Sequence, residues 1–508
     1  MTIKNKLIKN TLISTAEALL THPVNLLLIG FLISRLGPDV YGIISFVTIF
    51  SVLGYASLLD LGLQGGLVVY IAEYLAKGEG EKIGRLASST LIFFTGLGLL
   101  LFAFVSYVSV SDFLYVFKFE KEYEESVRFF LLLAAAQLFV QFPSLMLSAI
   151  YGGYQRYDLL KGTSVVYKLL TYALIFLVVY LEYDFIYIAW INLGTALLHL
   201  VALLAMLRFL PGLSLGFRLW DAEELKKVFD FSRKLFIFRI TGLVFNQTDK
   251  ILISLFLGIA FLTDYEVIIR FASVIFAFLA FLNSAVIPAT AELNSNMETE
   301  KIRGLFLAGT RYSMILTFSL ATPLVAFAVP LVKFWVGGEY VHLAPYLQIF
   351  SMHMLVSTIA GFGTTMLVGM KRVDHVLKVA FTATVVNLTL SLLLIWEFGV
   401  YGLLIGTVAG FFIGLIPYLY IFRKEFGIDF LDLYRELGRK VYIPGLLFFI
   451  AVNAVSVVFE PAIAGASFFG LLSLVGISSS LYLIWAWFVM FAKSDRELLI
   501  DYAGKTAR

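Results

Sequence analysis

Cysteine is absent from these 508 residues, which excludes disulfides, thiolate nucleophiles and thiolate metal sites. Histidine is scarce. His22, His199, His342, His353 and His375 are scattered, and neither a metal-ligating cluster nor a catalytic constellation is visible. Charge is scarce as well: 14% of residues are Asp, Glu, Lys or Arg, against 60% hydrophobic and a mean hydropathy of +0.92. Long polar loops are also missing. The longest outer one, at 109–126, carries Asp112, Glu120, Glu122, Glu124 and Glu125 and reads as a solvated turn. A membrane polymerase or ligase of glycans needs an outer loop with catalytic groups, and this chain has little room for one. The net charge of +3 gives no case for nucleic-acid binding, because the basic excess sits at helix ends.

What the chain has is apolar length. Fourteen segments of about 20 residues are each long enough to cross a bilayer as a helix. They lie at 11–34, 40–60, 86–108, 127–150, 163–181, 185–207, 236–257, 265–287, 312–330, 345–369, 378–396, 400–422, 441–459 and 464–491. The N-terminus, the even-numbered connections and the C-terminus hold thirty of the 38 Lys and Arg. Such a bias predicts a multi-pass protein of the cytoplasmic membrane with both termini in the cytoplasm. The first segment is too long for a leader, lacks a small-residue cleavage site and carries Glu17, so it is expected to be a retained helix.

The expected fold is therefore an all-α polytopic membrane protein of two six-helix lobes in parallel repeat, with two helices appended. Gly153-Tyr154-Gln155-Arg156-Tyr157-Asp158 follows span four, and Gly369-Met370-Lys371-Arg372-Val373-Asp374 follows span ten, at an offset of 216. Gly194 and Gly410 share that offset, and Tyr41 and Tyr265 open spans two and eight. The expected divisions are 1–210 for the first lobe, 211–231 for a cytoplasmic interfacial linker, 232–424 for the second lobe and 425–508 for the appended helices. In the linker, Asp221 and Glu224 have the spacing of a helix start, and the residues after them predict a helix lying on the inner leaflet. A two-lobe repeat points to alternating access, with substrate held between the lobes.

Charges inside spans are costly and usually paired or functional. Lys250 in span seven and Arg270 in span eight fall roughly 10 Å below the expected outer ends. Asp249 is beside the first, and Glu266 precedes the second by one turn. Arg239, Asn246 and Lys250 share a helical face. Two readings stay open: internal charge pairing, with Arg239 snorkelling, or a cationic patch for an anionic headgroup. In the first lobe, Glu17 and Asp60, with His22 nearby, form a candidate site for a coupling proton or cation. Polar contact between helices is the alternative. Pro23 is expected to bend span one.

A family resemblance rests on these residues. Leu36-Gly37-Pro38-Asp39-Val40-Tyr41-Gly42 followed by Leu59-Asp60-Leu61-Gly62-Leu63 resembles the first two helices of Wzx-type polysaccharide flippases. Gln247-Thr248-Asp249-Lys250-Ile251-Leu252-Ile253, then Tyr265 and Arg270, and Asn387-Leu388 leading to Gly399-Val400-Tyr401-Gly402-Leu403 extend the likeness over most of the chain. These flippases belong to the multidrug/oligosaccharidyl-lipid/polysaccharide exporter superfamily. The resemblance implies a two-lobed cavity and movement of a polyprenyl pyrophosphate-linked oligosaccharide across the membrane. Members often carry a proline early in span seven, and Ser232-Arg233-Lys234-Leu235-Phe236 has none, so no hinge is drawn there.

The leading expectation is a lipid-linked oligosaccharide flippase without enzymatic activity or bound cofactor. Arg239, Asn246, Lys250 and Arg270 are its expected substrate contacts, and Glu17, Asp60 and His22 its ion-coupling residues. A proton or sodium gradient is the candidate energy source. Membrane lipid and proteins of glycan assembly are the other candidate partners. A cation-coupled multidrug antiporter of the same superfamily is the runner-up, and the basic residues of the second lobe argue against it.

Overall fold

Lipid offers no partner for a backbone N–H or C=O, so an apolar chain of this length must close its hydrogen bonds within helices. The computed structural model has that form. It describes residues 3–51, 62–283, 286–460, 463, 465, 467–491 and 496, and among them all regular structure is helical. The chain packs as two compact units, Met1–Tyr265 and Glu266–Arg508.

The first unit contains α1 (Ile3–Ile49), α2 (Leu63–Lys77), α3 (Gly80–Val110), α4 (Glu124–Gly153), α5 (Tyr157–Tyr180), α6 (Ile186–Met206) and α7 (Ala222–Leu252). The helix α8 (Phe261–Asn283) begins in it and continues into the second. Here α3 and α6 pack on α4, α5 packs on both α1 and α6, and α2 meets α3, α4 and α7. The second unit continues with α9 (Val286–Ser295), α10 (Thr299–Ala326), α11 (Ala328–Trp335), α12 (Ala344–Gly369), α13 (Val373–Phe398), α14 (Val400–Phe426), α15 (Phe430–Leu433), α16 (Ile443–Val458) and α17 (Phe468–Val489). Its centre is α10, which packs on α12, α16 and α17.

Nine helices are long and apolar enough to span a membrane, and eleven if each of two bent pairs counts as one span, among the described residues. Of the other three expected spans, 40–60 runs into residues outside the described ones. The remaining two fall on α7 and α8, which carry Arg239, Asp249, Lys250, Asp264, Glu266 and Arg270. The bend expected at Pro23 is not where α1 breaks. Its off-helical residue is Gly37, at φ 77 and ψ 174, a positive φ that glycine adopts cheaply. The 75° bend between α10 and α11 follows Pro323, and Pro330 sits in the first turn of α11, where a missing N–H costs little.

Interior faces use small and hydroxyl residues, as expected where lipid removes the hydrophobic incentive for association. Thr310, Ser313, Thr317, Ser319 and Thr322 of α10 are all buried. Gly402, Gly406, Gly410 and Gly414 form a stripe at four-residue spacing on α14. A methyl at Gly402 would collide with the Leu394 carbonyl of α13, and at Gly410 it would come within 2.9 Å of the Ala383 carbonyl. Outward faces remain apolar: Leu100, Phe104, Tyr107 and Val110 of α3 are exposed.

The repeat is visible in the backbone. Gln155 and Lys371, 216 apart, both take positive φ, at 54° and 60°. Gly153 packs on Ile71 and Gly369 on Ile287, again 216 apart on both sides. Arg156 donates to the Phe209 carbonyl at 3.2 Å, and Arg372 pairs with Glu425 at the corresponding position.

The segment before α7 differs from expectation. Asp221 does cap a helix, accepting from the N–H groups of Glu223 and Glu224 at 3.0 and 3.1 Å. That helix runs unbroken from 222 to 252, so the interfacial helix and span seven are one element. Before the cap, the hydroxyls of Ser88 and Ser89 on α3 accept from the N–H groups of Gly216 and Asp221, at 3.2 and 2.6 Å. The whole of 211–231 thus packs with the first unit, and the division between units falls after Tyr265.

Candidate functional site

Three charged groups inside helices define the candidate positions. The first is at the far end of α7. Asp249 is 1% exposed and its Oδ2 accepts a hydrogen bond from the Tyr265 hydroxyl at 2.9 Å. Its neighbour Lys250 is 6% exposed, with Nζ 3.5 Å from the Thr48 hydroxyl of α1. These contacts tie α7 to α1 and to the start of α8. The turn beyond is held from two more directions. Lys118 donates through Nζ to the Phe256 carbonyl at 2.7 Å and through its backbone N–H to Ser254, and Thr263 donates to the Pro38 carbonyl at 2.7 Å. Lys250 is therefore a buried member of a polar joint in the first unit.

The second group is Arg270 on α8, which belongs to the second unit. Its Nε donates to Glu266 Oε2 at 2.7 Å. The Glu266 side chain is 1% exposed and that of Arg270 is 32% exposed. A buried carboxylate so placed fixes the guanidinium and offsets part of the cost of bringing charge into the helix bundle. The i,i+4 spacing anticipated this pair.

The third group is on α1. Glu17 is buried, and its carboxylate accepts from Lys161 at 2.9 Å, Ser164 at 3.0 Å and Lys168 at 2.6 Å, all on α5. Glu17, expected beside Asp60 and His22, thus meets three residues of α5. Two ammonium groups occupy the carboxylate and leave the cluster with a net positive charge. His22, five residues on, lies about 140° around the helix and is exposed. Asp60 lies outside the described residues. So do the side chains of Arg239 and Asn246, whose backbones are in α7.

Lys161 and Lys168 are functional candidates that the sequence reading missed. Lys168 lies well inside α5, away from the basic helix end at Arg156. Its signal was present: Lys161, Ser164 and Lys168 recur at spacings of three and four, which places them on one face.

Among the described residues, no group of three His, Asp or Glu is arranged to hold a metal. Lysines, an arginine and their acidic partners can bind and orient an anion.

The comparisons with known proteins agree with this picture. A family model described as polysaccharide biosynthesis protein matches residues 7–294. An uncharacterized membrane protein of Methanocaldococcus jannaschii is 22% identical over 445 residues, covering 83% of this chain and 86% of that protein. A probable low-salt glycan biosynthesis flippase, Agl15 of Haloferax volcanii, is 20% identical over 230 residues, covering 44% of this chain and 48% of that protein. Among solved structures, the lipid II flippase MurJ in an inward closed conformation superimposes with a TM-score of 0.68 at 13% identity, covering 94% of this chain and 98% of that one. At that identity the likeness establishes the fold.

Proposed function

The chain belongs to the polysaccharide biosynthesis protein family, and on that footing we propose that it carries a lipid-linked oligosaccharide across the cytoplasmic membrane. It is a multi-pass membrane protein of the multidrug/oligosaccharidyl-lipid/polysaccharide exporter superfamily, and the cargo is the step beyond that. The observation carrying the proposal is Arg270. A cation is retained inside an apolar helix, held by a buried carboxylate, with a third of its side chain still open. That arrangement suits an anionic headgroup such as the pyrophosphate of a polyprenyl carrier. The names of the Haloferax and lipid II flippases support a cargo of this kind.

The residue roles follow. Arg270 is the proposed headgroup ligand, and Arg239 and Asn246 on α7 remain proposed contacts. Lys250, a proposed contact from its sequence position, is buried with its ammonium 3.5 Å from the Thr48 hydroxyl. Glu17 is not assigned a coupling ion, since a cation would have to displace two lysines. Asp60 is the carboxylate proposed to respond to a proton or sodium gradient. The same occupancy of Glu17 weakens the antiporter reading, which relies on an available acid.

The test uses two cargoes in one preparation. Protein reconstituted into liposomes should move a fluorescent polyprenyl diphosphate sugar and leave a cationic aromatic dye where it was added. Movement of the dye alone would replace this reading with the antiporter.

A further inference from the structure

Lys161, Ser164 and Lys168 form one face of α5, and Glu17 of α1 lies across it. The geometry is asymmetric. The Glu17 side chain is 8% exposed, whereas those of Lys161 and Lys168 are 28% and 36% exposed. Each ammonium has three donors and gives one to the carboxylate. Each keeps donors beyond that bond, both side chains are partly open, and the cluster carries one positive charge in excess. A pair of lysines serving only as a brace would be neutralised and covered, because an uncompensated charge in a bilayer-spanning segment is costly. His199 of α6 stacks on Tyr167 with ring centroids 4.7 Å apart, and its buried Nε2 has no hydrogen-bond partner among the described residues.

We propose that Lys161 and Lys168, with the Ser164 hydroxyl between them, bind a phosphate group of the cargo, and that the Glu17 carboxylate is the resident anion that competes for them. Two ammonium groups that both reach one carboxylate are spaced to reach one phosphate. Glu17 keeps the lysines in position when the site is empty, and it weakens binding enough for the cargo to leave. This inference rests on the reading of an anionic lipid-linked cargo and places a contact point for it within the first unit.

The sign of one substitution separates this from a structural brace. Full-length protein in phosphatidylcholine nanodiscs is titrated with farnesyl diphosphate. Lys161→Gln and Lys168→Gln should each weaken binding about tenfold, the loss of one charge-assisted hydrogen bond. Glu17→Gln should tighten it several-fold, since the competing charge is gone. Weaker or unchanged binding in Glu17→Gln, with an unaltered melting temperature, would overturn the proposal. Should the single lysine variants unfold, the triple variant E17Q/K161Q/K168Q removes all three charges together. It should fold and bind about tenfold or more weakly, and wild-type affinity in it would equally overturn the proposal. Phosphatidylglycerol nanodiscs distinguish the source of the phosphate. Unchanged farnesyl diphosphate affinity there supports the cargo, and loss of that affinity would make a membrane phospholipid the occupant and overturn the assignment. Equal binding by wild type and lysine variants defeats this inference alone. Failure of the wild type itself to bind defeats the reading of the cargo.

Discussion

At the scale of single residues, the charges divide by what surrounds them. Asp249 and Lys250 are adjacent in sequence and both buried, yet each meets a different helix: Tyr265 of α8 at the acid, Thr48 of α1 at the base. Removing the Tyr265 hydroxyl leaves a buried carboxylate short of a donor. Tyr265→Phe should therefore destabilise the protein by about 1–3 kcal/mol, read as a lower melting temperature in detergent. Glu266 has a different role. It holds Arg270 without covering it, so Glu266→Gln should keep the fold and weaken transport by misplacing the guanidinium. Arg270→Lys should also transport more slowly than wild type, because the planar fork is lost while the charge remains. Wild-type rates in both variants would make the pair purely structural.

At the scale of elements, two features can be tested alone. Four glycines bring α14 against α13, and Gly406 would push a side chain into Ser391. Gly406→Leu should cost about 1–3 kcal/mol or more through overpacking, seen as lower yield and melting temperature. The α7 cap is the other. Backbone N–H groups of Glu224 and Glu223, with Arg85 nearby, hold the Asp221 carboxyl below the usual carboxylate range. A depressed carboxyl contributes stability above its unfolded pKa and loses it as pH falls through the folded one. Asp221→Ala should thus cost about 0.5–2 kcal/mol at neutral pH, and the difference from wild type should shrink in strong acid. A difference independent of pH would show that the carboxylate is not the source. The cap was legible because a helix start is a local pattern of side chain and spacing. The continuity of α7 was not, since charged and apolar stretches of one helix resemble separate segments when read by composition.

For the molecule as a whole, long-range repetition was the most readable property. The offset of 216 seen in Gly-basic-Asp motifs returns as matched positive φ at Gln155 and Lys371 and as matched contacts of Gly153 and Gly369. Helical type was equally legible, because lipid leaves the backbone little choice. Partners across the chain were not. Glu17 and Lys168 are 151 residues apart, and periodicity carries no information about which helix faces which. Sequence spacing therefore gave no sign that two lysines of α5 hold Glu17. The central claim is that this chain moves a lipid-linked oligosaccharide, and transbilayer movement tests it most directly. Liposomes bearing a fluorescent polyprenyl diphosphate oligosaccharide are treated with a membrane-impermeant quencher, with wild-type protein, with Arg270→Ala, or with no protein. The account predicts rapid exchange of the protected fraction with wild type and an exchange about tenfold or more slower with Arg270→Ala. Exchange with wild type no faster than in protein-free liposomes would contradict it.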